Sequence, residues 1–279
     1  MMSGETRVAG IMGWPVRHSR SPRLHGYWLA HYGIDGVYLP FPVQPEHLRD
    51  ALRALPMLGI MGVNLTIPHK EAALAIMDEI HPEARLVGAV NTVVVGRDGR
   101  LFGSNTDIEG FRSSLLVSGA PLTPAGSAVV IGAGGAARGV IAALGKLGFR
   151  RIRLVNRTPA RSEGLIRDLA PLDLDITPVD WDARDIALEG AGLLVNTTSL
   201  GMAGEPELDL DLGSLPADAV VTDIVYAPLE TPLLAAARAR GLFAVDGLGM
   251  LLHQARPGFH AWFGRDPEVT PALRAHVLG

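Results

Sequence analysis

The chain has 279 residues, 48% of them hydrophobic and 19% charged, which is enough apolar material for one large core or two ordinary ones. A net charge of −4 gives no general attraction to nucleic acid or anionic membrane, and the absence of cysteine excludes disulfides and thiolate metal sites. No apolar run approaches the roughly 18 residues a bilayer crossing takes, and Met1 to Gly10 carries Glu5 and Arg7 instead of an apolar leader, so a soluble cytoplasmic protein is expected.

Val8 to Met12 reads as a short strand running into Gly13-Trp14-Pro15. A helix is expected from Ser21-Pro22 to about Tyr32, with Ser21 as N-cap and Pro22 as the first helical residue. Gly36 to Val43 is a second strand, Glu46 to Leu55 an amphipathic helix and Gly62 to Ile67 a third strand. Pro68-His69-Lys70 leads into a helix through Met77, and a short helix covers Pro82 to Val87. Val90 to Val95 and Arg100 to Gly103 form a hairpin around Asp98-Gly99. Strands alternating with helices predict an α/β domain of about 100 residues. Thr106-Asp107-Ile108-Glu109 is a capping box that opens the helix leading to a second domain.

That domain begins with Ala128 to Ile131, an apolar β-branched run followed by Gly132-Ala133-Gly134-Gly135-Ala136-Ala137 and a helix from Val140 to Leu147. This is G-x-G-x-x-A in strand–turn–helix context, the dinucleotide-binding fingerprint. Gly132 makes the tight turn, Gly134 lets backbone approach a pyrophosphate, and Ala137 allows close helix–strand packing. A strand from Ile152 to Val155 ends at Asn156-Arg157-Thr158, about 24 residues after Gly132, where an NAD enzyme carries an acid. Two guanidiniums, Arg157 and Arg161, and no carboxylate suit a 2′-phosphate, so the cofactor reads as NADP. Later strands are expected near Ile176 to Val179, Leu193 to Asn196, Val220 to Ile224 and Phe243 to Val245, with helices from Thr231 to Arg240 and Met250 to Phe263. The last helix is expected to pack back on the first domain.

Ser19 and Ser21 lie in a basic turn with Arg17, Arg20 and Arg23, where hydroxyls at a helix start either bind a small carboxylate or merely cap the helix. Lys70 follows a strand in a first helical turn, a place where burial and the positive helix end lower an ammonium pKa; an exposed surface lysine is the alternative. Asp107 sits in a helix first turn, favoured there by the dipole alone, and its charge would offset that of a nearby lysine. Asn64, Thr66 and Asn91 interrupt apolar strand patterns and face either a cleft or solvent. The nine histidines have no paired ligand spacing, so no metal is expected, and there is no G-x-S-x-G elbow.

In chain order, these stretches resemble the shikimate dehydrogenases of the shikimate/quinate dehydrogenase superfamily, from Gly10 to about Phe263. The likeness rests on Gly13-Trp14-Pro15 with His18 to Pro22, Asn64 to Lys70, Gly88 to Thr92, Gly103 to Asp107 and Gly132 to Ala136. It continues through Asn156-Arg157-Thr158, Asn196 to Ser199 with Gly201-Met202, Asp223 to Tyr226, and Gly247 to Leu251 with Gln254. The resemblance implies an α/β fold of two domains with the active-site cleft between them. Residues 1–105, completed by 248–279, would form the substrate domain, and 106–247 a Rossmann-type NADP domain. The implied reaction is reversible reduction of 3-dehydroshikimate to shikimate by NADPH, a step of chorismate and aromatic amino acid biosynthesis.

By the family's pattern, Lys70 and Asp107 are the catalytic pair and Ser19 and Ser21 hold the substrate carboxylate. Thr66, Asn91, Asp107, Tyr226 and Gln254 contact ring hydroxyls. Gly132, Ala133, Gly134, Gly135, Ala136, Asn156, Arg157, Thr158 and Arg161 bind NADP, with Ile224 and Gly247 near the nicotinamide. Gly26 departs from the family's usual Asn after the motif histidine. The rival readings are a quinate or dual quinate/shikimate dehydrogenase, a methylenetetrahydrofolate dehydrogenase and a non-catalytic NADP-binding sensor. An NAD preference argues with Asn156-Arg157, the serine turn has no use in a folate enzyme, and Lys70 with Asp107 has none in a sensor. The partner expected is the small-molecule substrate, and the sequence leaves monomer and homodimer both open.

Overall fold

The computed structural model describes residues 3–279. Two compact units are present: the described residues up to Thr106 with Leu251–Gly279, and Asp107–Met250.

The first unit opens with β1 (Arg7–Gly13), α1 (Ser21–His31), β2 (Gly36–Pro42), α2 (Leu48–Ala54) and β3 (Ile60–Leu65). It continues with β4 (Glu79–Ile80), α3 (Pro82–Val87), β5 (Thr92–Val95) and β6 (Leu101–Ser104). The sheet order is β2-β1-β3-β5-β6-β4. β1 runs parallel to β2 and β3, while β5 is antiparallel to β3 and β6, so the sheet is mixed. The expected hairpin is present with Val95 opposite Leu101, and Asp98 Oδ1 accepts the Arg100 N–H at 3.1 Å in its turn.

Two-residue periodicity decides what each face of this sheet does. Val63 and Leu65 of β3 join Leu48, Leu52, Val93 and Leu101 in one apolar cluster. Gly62 and Asn64, the alternate positions, belong to the opposite face, where Tyr38 hydrogen-bonds Asn64. Gly62 has φ +152°, and a Cβ there would stand 2.1 Å from the Val93 carbonyl oxygen and 2.3 Å from Trp262 Nε1. Its missing side chain is the space through which the Trp262 indole donates to Val93 O at 3.1 Å. α1 buries Ser21, Leu24, His25, Trp28 and Leu29, the stripe of a helix covering a core.

Three local expectations are corrected. The stretch after Pro68 is a turn followed by a 3-10 helix, Ala72–Ile76, not an α-helix reaching Met77. α1 starts one residue early: its N-cap is Arg20, and Ser21 is the first helical residue. Glu109 binds Ser113 at 2.6 Å and Arg112 at 3.2 Å, so its carboxylate is engaged away from the helix start that the capping box would serve. The two-residue β4, parallel to β6, is too short to leave a periodic signal.

The second unit contains α4 (Asp107–Val117), β7 (Ser127–Ile131), α5 (Gly135–Lys146), β8 (Arg151–Asn156), α6 (Pro159–Leu169) and β9 (Asp175–Asp180). It goes on through β10 (Ala191–Asn196), β11 (Val220–Asp223), α7 (Pro232–Ala239) and β12 (Phe243–Val245). All its strands are parallel, in the order β12-β11-β10-β7-β8-β9. Numbered within the unit this is 3-2-1-4-5-6, the Rossmann order, whose crevice lies at the carboxyl ends of β7 and β10, where the strand order reverses. Every residue of β7 is buried, as a central parallel strand covered on both faces requires. α5 packs with Ala137, Val140, Ile141 and Leu144, spaced i, i+3, i+4, i+7.

The chain closes with α8 (Leu248–Phe263) and α9 (Pro271–Leu278). From Leu251 onward these residues belong to the first unit, where Phe259 and Trp262 are fully buried beside Trp28 and Tyr38. Among the described residues no helix is long and apolar enough to cross a membrane.

Candidate active site

In the first unit the predicted residues gather where β1 and β3 end and the antiparallel β5 begins. Trp14 N–H donates to Ile67 O at 3.0 Å and Thr66 N–H to Met12 O at 3.0 Å, which lays the loop after β1 beside the loop after β3. Gly13 makes this approach feasible, since a Cβ there would sit 2.4 Å from Thr66 Cγ2. His69 is buried, with Nε2 2.9 Å from Val43 O, and burial holds its pKa below the usual imidazole range. It anchors the turn that carries Lys70, whose carbonyl accepts the Val90 N–H at 2.8 Å. Lys70 is half-buried and lies in a turn outside any α-helix, where a first helical turn was expected. Neighbourhood is what singles it out: its backbone is pinned one residue from Asn91.

Asn91 is the hub of a buried polar cluster. Its Oδ1 accepts from Thr106 N–H at 2.8 Å, Thr106 Oγ1 at 3.2 Å and Thr92 Oγ1 at 3.0 Å. Thr106 Oγ1 also reaches Gln254 Oε1 at 3.4 Å, and Asn64 Nδ2 donates to Thr92 Oγ1 at 3.0 Å across the β3–β5 pair. The Thr106 N–H and the Thr92 hydroxyl hold the Asn91 oxygen in place, and the one hydrogen of the Thr106 hydroxyl is shared between that oxygen and Gln254 Oε1. Asn64, Thr92, Thr106 and Gln254 are each no more than 7% exposed. Such a set of buried amides and hydroxyls, tied together beside a lysine, suits an alcohol-bearing ligand rather than an apolar one.

Ser19 and Ser21 divide the helix-start duty differently from the expectation. Ser19 Oγ accepts the Ser21 N–H at 3.2 Å, while Ser21 is 2% exposed and makes no capping bond. Its hydroxyl turns inward to the Tyr38 phenol. A surface depression of about 540 Å³ on α1 and α9, lined by Arg23, Tyr27, His31 and His276 among others, contains none of the predicted residues.

In the second unit Asp107 is the first residue of α4 and is 4% exposed, where an acid complements the helix dipole. At the end of β7, Gly132 has φ +104°, and a Cβ would press on Thr197 Oγ1 and Thr198 Cγ2 at 2.8 Å each. Gly134 differs: its backbone is extended, and a Cβ there would meet nothing within 4 Å. That open cradle, directly before the first N–H groups of α5, fits a dinucleotide's pyrophosphate. Ala133, Gly135 and Ala136 are partly exposed around it, and Ala137 is buried behind it.

At the end of β8, Asn156 Nδ2 donates to Thr158 O at 2.9 Å, and Arg157 lies over the Trp181 ring at 5.9 Å. Asn156, Arg157, Asp180, Trp181 and Asp182 help line a cavity of about 490 Å³, and Arg184 also lies over the Trp181 ring, at 5.2 Å. Arg161 is exposed on α6 and stands outside this lining. Trp181 was invisible to motif reading; its only signal is its place just past a strand end. Asn196 and Asp223 brace the neighbouring strand ends through a 3.0 Å bond, and burial raises the pKa of Asp223 despite donors from Val225 and Thr231. Gly247 lies against Ile224, whose carbonyl oxygen would be 2.3 Å from a Cβ at that position, and Tyr226 is half-buried two residues beyond Ile224.

Residues 11–93 match the family model for the shikimate dehydrogenase substrate-binding domain. The NADP(+) shikimate dehydrogenase of Rhodospirillum rubrum is 60% identical over 281 residues, covering 100% of this chain and 99% of that one. A Thermus thermophilus shikimate 5-dehydrogenase, solved with NADP(H) and shikimate, is 37% identical, covers 97% of this chain and 98% of its own, and superposes with a TM-score of 0.85. The quinate dehydrogenase of Corynebacterium glutamicum, solved with NAD, is 31% identical, with 98% and 99% of the two chains covered and a TM-score of 0.90. Identity at this level along the whole sequence means that the chain belongs to the shikimate dehydrogenase family.

Proposed function

We infer that this chain catalyses the reversible NADPH-dependent reduction of 3-dehydroshikimate to shikimate in the cytoplasm, with Lys70 and Asp107 as the catalytic pair. The observation that carries the reading is the buried Asn64–Thr92–Asn91–Thr106–Gln254 cluster beside Lys70, a site made for a small polyol. Bound NADPH supplies the hydride. Lys70 Nζ donates the proton that neutralises the alkoxide developing on the ketone oxygen, and its charge stabilises that oxygen beforehand. Asp107 orients Lys70 and a ring hydroxyl, which is positioning rather than proton storage.

Ser19 and Ser21 bind the substrate carboxylate, and Thr66, Asn91, Tyr226 and Gln254 hold the ring hydroxyls. The Gly132–Ala136 turn seats the pyrophosphate, while Asn156, Arg157, Thr158 and Arg161 hold the adenosine end and its 2′-phosphate. Ile224 and Gly247 face the nicotinamide. An NAD-linked quinate activity is the less favoured reading, because the end of β8 carries Asn156 and Arg157 in place of an acid.

Steady-state assays of shikimate and quinate, each with NADP and NAD, test the assignment. High turnover is expected only for shikimate with NADP; faster oxidation of quinate with NAD would overturn it.

A further inference from the structure

The hydrogen bonds behind the polar cluster run in one direction, and they start at a residue to which the mechanism gives no role. Tyr38 of β2 is buried, with its ring stacked on His25 at 3.9 Å and 4°. Its hydroxyl donates to Asn64 Oδ1 at 2.6 Å. Asn64 must therefore present its Nδ2 hydrogens on the other side, and they go to Thr92 Oγ1 at 3.0 Å and Asn91 O at 3.2 Å. Thr92, having received a hydrogen, passes its own to Asn91 Oδ1 at 3.0 Å. The Ser21 hydroxyl also bonds to the phenol. Burial also raises the phenol's pKa, so it remains a donor throughout the working pH range.

We propose that Tyr38 is a positioning residue for this reaction: its phenol sets the amide orientation of Asn64 and, through Thr92, of Asn91, and ties the substrate-hydroxyl amides to Ser21 of the carboxylate turn. The proposal rests on the polyol reading of the site. Without the phenol proton, the Asn91 carbonyl alone still selects this orientation of Asn64, so the preference weakens, and a reversed Asn64 sets its oxygen against Thr92. The hydrogen of Thr92 is then drawn back toward Asn64, and Asn91 loses one of the donors that fix it. A ligand meets an amide that is correctly oriented only part of the time, so affinity falls by that fraction.

The test uses two nearly isosteric variants from opposite ends of the relay, Tyr38→Phe and Thr92→Val, with wild type assayed first. Each should raise the shikimate KM by about five- to tenfold, as expected for losing one orienting hydrogen bond. The NADP KM should be unchanged and kcat should move less than about twofold. In an Asn64→Ala background, Tyr38→Phe should have no further effect on KM, because its influence passes through that amide. An unchanged shikimate KM in both folded variants, or equal loss for substrate and cofactor, would overturn the positioning role. If one variant does not fold, the other alone decides. Wild-type protein without 3-dehydroshikimate reductase activity would instead remove the functional reading beneath it.

Discussion

Arg157 and Lys70 test the site at the scale of single side chains, and their substitutions should fail in different ways. Arg157→Ala removes the guanidinium over Trp181. NADPH binding should weaken by roughly 1.5–3 kcal/mol, the worth of charge-assisted hydrogen bonds to a phosphate, while NADH binding is nearly untouched. Titration of both cofactors checks this, and equal loss would mean that Arg157 does not read the 2′-phosphate. Lys70→Ala should depress the hydride-transfer rate by about 10²–10⁴-fold with a much smaller change in shikimate affinity. Asp107→Asn should also slow transfer, and the double variant should lose far less than the product of the single losses, because the two act as a unit. Stopped-flow absorbance reads the transfer directly, and a near-normal rate in Lys70→Ala would discard the pair. His25 supplies the pH dependence. It is fully buried among Trp28, Tyr38, Phe259 and Trp262, its ring nitrogens make no hydrogen bond, and burial pushes its pKa down to about 3. The unfolded chain protonates this histidine near pH 6.5 and the folded chain does not. The first unit is therefore at full strength above pH 6.5 and weakens as pH falls toward 3, by about 3 kcal/mol at pH 4. Denaturation followed by the Trp28 and Trp262 emission should lose most of that slope in His25→Phe.

At the scale of elements, the β7–α5 turn separates glycines needed by the fold from glycines needed by the ligand. Gly132 sits at φ +104° with Thr197 and Thr198 against the missing side chain, so Gly132→Ala should destabilise the second unit by about 2 kcal/mol. Gly134 is extended with open space around it, so Gly134→Ala should leave stability within about 0.5 kcal/mol of wild type. The same methyl stands where a pyrophosphate would lie, and NADP affinity should drop about tenfold or more, roughly 1.4 kcal/mol. Urea denaturation and cofactor titration on the same two proteins measure both quantities. A stable Gly132→Ala or a tightly binding Gly134→Ala would reverse the assignment. The bounds of β7 were legible because turn residues flank an apolar β-branched run. By contrast, α5 begins at Gly135, five residues before the expected Val140, because its first turn is the glycine- and alanine-rich stretch that carries no apolar period. Lys70 is the instructive case: Pro68 and the following apolar spacing read as a helix start, but His69 bonding back to Val43 closes a turn that leaves only a 3-10 helix, Ala72–Ile76.

For the whole molecule, the chain's ends make one unit and its middle the other. Phe259, Trp262, Leu273 and Val277 are all buried in the first unit although they follow the second in sequence. Losing one large aromatic from a core costs about 3–5 kcal/mol, and a domain has about 5–15 to lose. A chain ending at Met250 should therefore leave the first unit unfolded while the second stays folded. Hydrogen exchange should find β7, β8, β10 and β11 protected and β1 and β3 open; protection of β1 and β3 would refute it. What the sequence by itself determined is whatever a contiguous stretch encodes: the G-x-G-x-x-A turn, the Asn156-Arg157 end of β8, the Asp98-Gly99 hairpin, and the family likeness that gathers separate motifs. What only the tertiary structure decided is the partnership of residues far apart in the chain. Tyr38, Asn64, Thr92, Thr106 and Gln254 become one hydrogen-bonded relay because strand pairing and the return of α8 bring them together. A single polar residue in an apolar strand has two physical outcomes, solvent or a buried partner, and its own neighbours in sequence do not choose between them; the register of the next strand does.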